Sequence, residues 1–258
     1  MKQKPRNTKK GSVGRRRFLK GAAAGAAMLA GSSVPASITE ASGSTKDTET
    51  RSESASVAHN TSEASSTIEH PGSDYMVDVF RALDIEYCAS NCGSSFDGLQ
   101  ESMVNYGANR MPEFLTCLHE ESAVAMAHGY AKIAGKPMMA LFHGTVGLQH
   151  AAMAIYNAYV DRVPVYMAAG LDYDGPVSAH NATDLAALVR DYIKWDHQPG
   201  ALMDFGRSAV RAYTLATTPP MAPVLLVLDA KLQKEAADNP PKVPKISVPK
   251  FPSADIGS

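Results

Sequence analysis

The sequence predicts a doubly wound α/β fold, with a mainly parallel sheet and helices on both faces. Three observations lead to this prediction. Strand-like and helix-like segments alternate along the middle of the chain. The strand-like segments are continuous apolar runs, which are typical of parallel strands buried on both faces. The chain has 258 residues, of which 45% are hydrophobic, and this suits one domain of typical size flanked by other segments.

The individual elements follow from these runs. We expect strands at residues 85–89, 114–118, 137–142, 164–168 and 224–228. We expect helices at residues 97–106, 120–134, 148–160, 184–192 and 205–217. Gly135 stands directly after the second of these helices, at the position where glycine commonly ends a helix.

The rest of the chain divides into segments of different composition. Residues 1–36 predict an export signal, because nine Lys/Arg and no acid precede an Ala/Gly-rich run and a small-residue cleavage site after Ala36. That run is too short and too weakly apolar to cross a membrane as a stable helix. Residues 37–70, with 15 Ser/Thr among 34, predict a disordered linker. We expect residues 71–236 to form the folded domain and residues 237–258 a Pro/Lys-rich tail or interdomain linker.

The string Arg-Arg-x-Phe-Leu-Lys at residues 15–20 resembles the twin-arginine signal, with Gly14 where Ser or Thr is usual. The resemblance implies export by that route to the periplasm or another extracytoplasmic compartment.

Composition excludes some classes of function. Residues 37–258 carry 16 Lys/Arg against 26 Asp/Glu, so the folded part is not a non-specific nucleic-acid binder. Three cysteines cannot build a disulfide scaffold. We expect Cys88, Cys92 and Cys117 to be small buried apolar groups. No His/Cys/Asp cluster has the spacing of metal ligands, so we expect no metal site on this chain.

Common ligand motifs are also missing. The loop Gly144-Thr145-Val146-Gly147 is neither a dinucleotide-binding glycine motif nor a phosphate-binding loop. Residues 93–96 lack the spacing of a hydrolase nucleophile elbow. Plain nucleotide binding by an open α/β sheet therefore rests on fold analogy alone.

In an open α/β sheet, ligands bind beyond the carboxyl ends of strands, where helices begin. Three predicted junctions of this kind stand out, at residues 88–96, 118–121 and 143–149. The second holds Glu120 and Glu121 in the first turn of a helix, where a carboxylate is stabilised by about 0.3–1 kcal/mol. Position alone therefore favours a structural role for Glu120. Close packing against this helix is predicted by its small-residue face, formed by Ala123, Ala127, Ala131 and Ala134.

The helix at this junction carries a recognisable string. Residues 118–137, LHEESAVAMAHGYAKIAGKP, resemble the pyrimidine-binding domain of thiamine-diphosphate enzymes of the acetolactate synthase, pyruvate oxidase and benzaldehyde lyase group. That group carries HE-x-x-A and GYAR-x-x-G-K-P strings. Residues 144–151, GTVGLQHA, are similar to its SGPGATNA loop, and residues 158–165 and 223–229 match in order. The resemblance covers residues 72–232.

The resemblance implies a cofactor and a set of site residues. Glu120, rather than Glu121, would hydrogen-bond N1′ of the aminopyrimidine ring of thiamine diphosphate and so promote proton loss from its thiazolium C2. Glu121 would be a first-turn or interface residue. The cofactor would contact Gly144, Thr145, Gly147 and Leu148. A 2-oxo acid or related carbonyl substrate would contact His119, His143 and Gln149.

Two departures from the family pattern affect the expected assembly. Residues 91–94, Asn-Cys-Gly-Ser, lack the proline of the family's G-x-P-G loop. The chain also has no Gly-Asp-Gly, which is part of the signature of the domain that holds the diphosphate through Mg²⁺. We therefore expect Mg²⁺ on another domain, either on a separate chain or later in a longer protein. Partners would be a second copy of the chain or a diphosphate-domain chain.

Two functions remain open at this stage. The chain would supply the activating glutamate of an acetolactate synthase-like lyase or synthase that acts on 2-oxo acids. Alternatively, it would be a non-catalytic dimerisation or regulatory module of a split enzyme, associating through the alanine face of residues 123–131.

Overall fold

A computed structural model describes residues 67–172 and 181–245 of the chain. The predicted signal (residues 1–36) and nearly all of the predicted linker (residues 37–70) lie outside the described residues, as does the end of the predicted tail.

The described residues form one parallel sheet of six strands. The sheet order is β2-β1-β3-β4-β6-β5, and every neighbouring pair of strands is parallel. The strands are β1 (Tyr87–Ser90), β2 (Glu113–Thr116), β3 (Met139–His143), β4 (Tyr166–Leu171), β5 (Trp195–His197) and β6 (Val224–Asp229). The predicted doubly wound α/β fold with a parallel sheet is confirmed.

Six α-helices connect or flank the strands in the described part of the chain. They are α1 (Gly72–Ala82), α2 (Asp97–Val104), α3 (Glu120–Ala134), α4 (Gly144–Val160), α5 (Leu202–Thr217) and α6 (Ala230–Lys234). The bounds of α3 match the prediction, and Gly135 ends the helix in the left-handed conformation at φ 71°. Only glycine adopts this conformation at little cost, which explains the sharp helix end.

Hydrophobic cores cover both faces of the sheet. On one face, Met139 and Leu141 of β3 pack in a cluster with side chains of α1, α2 and α5. On the other face, Ala140 and Phe142 pack in a second cluster with α3 and α4. Successive strand residues point to opposite faces, so burial on both sides requires the continuous apolar runs seen in the sequence.

The order of the strands creates a crevice at the carboxyl edge of the sheet. From β1 the chain passes through α2 to β2 on one side, and then through α3 to β3 on the other side of β1. This reversal is a topological switch point, where the loops after neighbouring strands diverge and leave room for a ligand. The loop after β1 and the first turns of α3 and α4 lie at this edge.

Several elements differ from the prediction. Residues 184–192 form two short 3₁₀ turns, Ala186–Leu188 and Arg190–Tyr192, instead of an α-helix. The Asp184 side chain accepts the Ala187 N–H and also binds Arg190, which favours tight turns over a regular helix. Helix α4 begins at residue 144, four residues earlier than expected. The prediction missed α1, the three-residue strand β5 and the one-turn helix α6.

Among residues 67–172 and 181–245, no helix combines the length and the apolar character that crossing a membrane requires.

Candidate functional site

The centre of the candidate site is a buried carboxylate at a helix start. Glu120 is the first residue of α3, and only 3% of its surface is exposed. His119 caps this helix, since its Nδ1 accepts the Glu121 N–H at 3.2 Å. Glu121 also lies in the first turn, but its side chain is exposed. The structure therefore separates the two neighbouring acids into one buried and one exposed group.

Both carboxylate oxygens of Glu120 have polar partners from other elements. The Asn91 amide, directly after β1, donates a hydrogen bond to Glu120 Oε1 at 3.2 Å. Nδ1 of His150, in the second turn of α4, lies 3.3 Å from Glu120 Oε2. The loop after β1, the start of α3 and the start of α4 thus meet at one side chain.

Glycine in the first turn of α4 allows the close approach of Glu120. A Cβ atom added at Gly147 would lie 3.1 Å from Glu120 Oε1 and 3.3 Å from Glu120 Cγ. The carboxylate therefore packs against a position that has no side chain. Gly144 begins α4 with φ 40°, in the region of backbone conformation that favours glycine.

Two imidazole rings cover the outer side of Glu120. The rings of His119 and His150 stack with centroids 4.9 Å apart and an interplanar angle of 18°. Both residues are exposed, whereas Glu120 beneath them is buried. The surface of the site therefore consists of two histidines above a carboxylate.

A second pair links the loop after β1 to the end of β3. Oγ of Ser95 lies 2.9 Å from Nδ1 of His143. A Cβ atom added at Gly93 would overlap Cβ and Cγ of His143, so the loop approaches this side chain closely. His143 is half-buried. The predicted junctions at residues 88–96, 118–121 and 143–149 therefore lie together at the carboxyl edge.

The remaining predicted site residues occupy different environments. Thr145 is half-buried, and its Oγ1 accepts the Ala182 N–H at 2.6 Å. The Leu148 side chain lies fully inside the core beneath α4. Gln149 is exposed on the first turns of α4.

The predicted alanine face is used within the chain. Ala123, Ala127 and Ala131 are buried, and they share a core cluster with the alanines at 151, 154 and 158 of α4. The prediction of close packing is confirmed for these three residues, but Ala134 is exposed. These buried side chains cannot also contact another chain. The alanine face therefore no longer supports the alternative of a dimerisation module.

The expectation for the cysteines holds for two of the three. Cys88 and Cys117 are buried, and burial raises the pKa of both thiols. Cys92 is exposed, which corrects the prediction. It lies in the loop after β1, which is at the protein surface beyond the strand end.

The fold also assembles side chains that are far apart in sequence. His119, Glu120 and His150 each present one ligand atom within 4.8 Å of the other two. The expectation of no metal site rested on spacing along the chain, which does not reveal a set whose members lie between residues 119 and 150. Asn91 and His150 were likewise missed as partners of Glu120. The sequence indicates only that Asn91 directly follows a strand and that His150 lies in the first turns of a helix.

Comparisons with known proteins match this region. Residues 70–184 match the family described as the thiamine pyrophosphate enzyme, N-terminal TPP binding domain. Benzoylformate decarboxylase of Pseudomonas aeruginosa is 28% identical over 141 residues, which are 50% of this chain and 27% of that protein. The acetolactate synthase large subunit of Lactococcus lactis is 27% identical over 157 residues, 59% of this chain and 26% of that protein. The chain thus spans about a quarter of the length of these relatives.

Solved structures give the same result for the fold. A thiamin diphosphate-dependent enzyme from Mycobacterium smegmatis superposes with a TM-score of 0.61 and 25% identity, covering 69% of this chain and 34% of that one. Benzoylformate decarboxylase from Polynucleobacter necessarius has a TM-score of 0.58 at 22% identity, covering 71% of this chain and 33% of that one. Residues 70–184 are thus similar to the N-terminal TPP binding domain of thiamine-diphosphate-dependent enzymes, a group that includes the acetolactate synthase and benzoylformate decarboxylase relatives.

Proposed function

We propose that this chain supplies the pyrimidine-binding domain of a thiamine-diphosphate-dependent lyase or synthase that acts on 2-oxo acids, with Glu120 as the cofactor-activating residue. The observation that carries the proposal is the buried Glu120 carboxylate at the carboxyl edge of the sheet. The match of residues 70–184 to the family includes this residue and supports the proposal.

The residues around Glu120 fit an aminopyrimidine ring. A buried carboxylate can share a proton with a ring nitrogen where little water competes for it. Gly147 has no Cβ atom, so the space next to the Glu120 carboxylate stays open. Gly144, Thr145 and Gly147 would line the ring, and bound thiamine diphosphate would supply an electron sink for reactions at a carbonyl carbon.

The partners of Glu120 suggest how the carboxylate is prepared. Asn91 donates a hydrogen bond to Oε1 and so restrains that oxygen. His150 lies at Oε2, and its side chain is 57% exposed. We therefore propose that His150 turns away when a ring nitrogen takes its place at Oε2, whereas Asn91 stays. Glu120 would then exchange a proton with N1′ of the cofactor.

His119, His143 and Gln149 are the proposed substrate contacts. His119 is exposed at the mouth of the site, and Gln149 is exposed on α4. His143 is half-buried next to Ser95. Imidazole and amide groups suit the carboxylate and carbonyl oxygens of a 2-oxo acid, because they offer hydrogen-bond donors.

The diphosphate and its Mg²⁺ are proposed to be held by another domain, on a longer form of this protein or on a separate chain. We accordingly expect no micromolar binding when the 258-residue chain alone is titrated calorimetrically with thiamine diphosphate and Mg²⁺. Binding at that strength would instead require an anchor for the diphosphate within this chain.

We also propose that the outer face of α3 and α4 contacts a second copy of the chain. Several large apolar side chains are exposed there, and contiguous exposed apolar surface marks association sites. They are Met126, Ile133, Val146, Met153, Tyr156 and Val160.

Export by the twin-arginine route remains our proposal for the N-terminal segment. Replacing both Arg15 and Arg16 with Lys should leave the protein in the cytoplasm of its host. Cell fractionation compares this variant with the unchanged chain, and equal export of the two would contradict the proposal.

Activity tests the proposal as a whole. The assembled enzyme, which is this chain together with the domain proposed to hold the diphosphate, is isolated from its host through a tag on this chain. It is then mixed with a panel of 2-oxo acids that includes benzoylformate and pyruvate. We expect consumption of at least one of them, which Glu120→Gln reduces by about 10²–10⁴-fold, the usual contribution of a positioned proton-transfer group. Glu121→Gln is the matched control, and equal activity of both variants would overturn the proposal.

A further inference from the structure

The two imidazoles above Glu120 form, together with its carboxylate, a set of side chains that could bind a metal ion. His119, Glu120 and His150 each place one ligand atom within 4.8 Å of the others. We propose that these three side chains form a binding site for a divalent transition metal ion, with Zn²⁺ as the best-suited ion.

One pair of ligand atoms in the set already has the spacing of a zinc site. In tetrahedral zinc sites the bonds to nitrogen and oxygen are about 2.0–2.2 Å, which places neighbouring ligand atoms about 3.4 Å apart. Nδ1 of His150 and Oε2 of Glu120 are already 3.3 Å apart. His119 stacks on His150 and is exposed, so a turn of its ring completes the set without moving the core.

The donor types select the class of metal. Imidazole nitrogens suit Zn²⁺, Ni²⁺ and Cu²⁺, whereas Mg²⁺ and Ca²⁺ prefer oxygen ligands. Two histidines and one glutamate provide three protein ligands and leave a fourth position for water or another ligand. The site therefore differs in chemistry from the Mg²⁺ expected at a diphosphate.

Burial and charge favour a cation at this point. The Glu120 carboxylate is buried, so water competes weakly for it, and the exposed histidines provide an open path for an ion. Glu121 adds a second acid in the same helical turn. His119 Nδ1 accepts the Glu121 N–H, and coordination through this nitrogen would take the place of that hydrogen bond.

The proposed metal would occupy the carboxylate that the proposed function assigns to the cofactor. Metal and aminopyrimidine would therefore exclude each other, and zinc would inhibit the assembled enzyme reversibly. This consequence rests on the proposed function, whereas the metal site itself does not.

Calorimetric titration with ZnCl₂ tests the site on the full 258-residue chain, purified without a histidine tag. We expect one Zn²⁺ per chain with micromolar affinity, and at least tenfold weaker binding for His119→Gln and for His150→Gln. Both residues are exposed, so the variants should keep the fold, which circular dichroism checks. His128→Gln is the matched control, because His128 also faces a carboxylate, that of Asp161 at 3.0 Å.

The outcomes are distinct. No binding of Zn²⁺, or equal binding by the chain and both site variants, would overturn the metal site. Binding that His128→Gln weakens as much as His150→Gln would also overturn it, because any surface histidine would then suffice. Zinc added to the assembled enzyme before the cofactor tests the exclusion separately. If Zn²⁺ binds at this site but does not inhibit the assembled enzyme, the result would count against the role of Glu120 in the proposed function. The metal site itself would still stand.

Discussion

The Asn91 side chain donates a hydrogen bond to Oε1 of Glu120 at 3.2 Å, although the two residues follow different strands and lie twenty-nine positions apart. The bond exists because β1 and β2 are parallel neighbours whose carboxyl ends share one edge of the sheet. It fixes one oxygen of a buried carboxylate and leaves the other directed at His150, whose ring is exposed.

Removing the Asn91 amide should therefore impair the Glu120 carboxylate without unfolding the protein. A hydrogen bond to a charged group contributes about 1.5–3 kcal/mol, so Asn91→Ala should slow turnover by the assembled enzyme roughly 10- to 100-fold. Steady-state kinetics measure this effect. Asn105→Ala removes a similar bond to Glu101 on the surface and should not change turnover, so equal effects of the two variants would contradict the positioning role.

Gly147 should be required for the position of the carboxylate. A Cβ at residue 147 would approach Glu120 Oε1 to 3.1 Å, so Gly147→Ala should shift the side chain and reduce turnover at least tenfold. Gly129→Ala is the control, because a Cβ there meets no atom within 4 Å. The control should stabilise α3 by about 0.5–1 kcal/mol, since alanine favours helices more than glycine. Unchanged kinetics of Gly147→Ala would show that the carboxylate has more room than the structure indicates.

The sequence predicts most of the fold because burial on both faces of the sheet produces apolar runs that are easy to recognise. Helix α3 was predicted residue for residue, since acids begin it and Gly135 ends it. Strand β5 has only three residues, all half-buried, and gives no such run. The sequence of residues 184–192 has a helical pattern, but the segment forms two short 3₁₀ turns. In these turns Arg190 contacts Asp184 and Asp196.

The site was predicted in part. Glu120 was located by the resemblance of its flanking string, whereas its position in the sequence favoured a structural role. Asn91 and His150 could not be identified as its partners, because their contacts depend on how three junctions converge in space. The alanine face was predicted to pack closely, but only the structure reveals that α4 of the same chain covers it.

Tyr130 should control the ionisation of Glu86. The Tyr130 hydroxyl donates a 2.6 Å hydrogen bond to Glu86, and this bond together with Lys136 lowers the pKa of that carboxyl. Burial and the bond to Glu86 raise the pKa of Tyr130 to about 12. Tyr130→Phe should therefore raise the pKa of Glu86, which ¹³C NMR titration measures. Tyr106→Phe is the control, because Tyr106 binds Asp78 instead.

The same contact predicts how stability depends on pH. Because the pKa of Glu86 is lower in the folded state, its contribution to stability is present above its unfolded pKa and is lost as pH falls through the folded one. The stability difference between the unchanged chain and Tyr130→Phe, from urea unfolding, should thus shrink as the pH is lowered into the acid range. A difference that grows on acidification would contradict this coupling.

The exposed apolar face of α3 and α4 should mediate self-association. Met153 is 58% exposed on α4, so Met153→Lys should weaken association of the full chain at least tenfold by placing a charge in the contact. Met203→Lys, at a residue 55% exposed on α5, is the matched control. Analytical ultracentrifugation measures both variants. Association that Met203→Lys weakens more than Met153→Lys would place the contact on the other side of the sheet.

Exchange of the C2 proton of bound thiamine diphosphate for deuterium tests the role of Glu120 most directly, because it requires no knowledge of the substrate. The assembled enzyme is mixed with heavy water and quenched with acid, and the remaining C2 proton is measured by ¹H NMR at matched cofactor content. We predict that Glu120→Gln slows this exchange about 10²–10⁴-fold while Glu121→Gln leaves it unchanged. Equal exchange rates in Glu120→Gln and the unchanged enzyme would contradict the assignment of Glu120 as the activating residue.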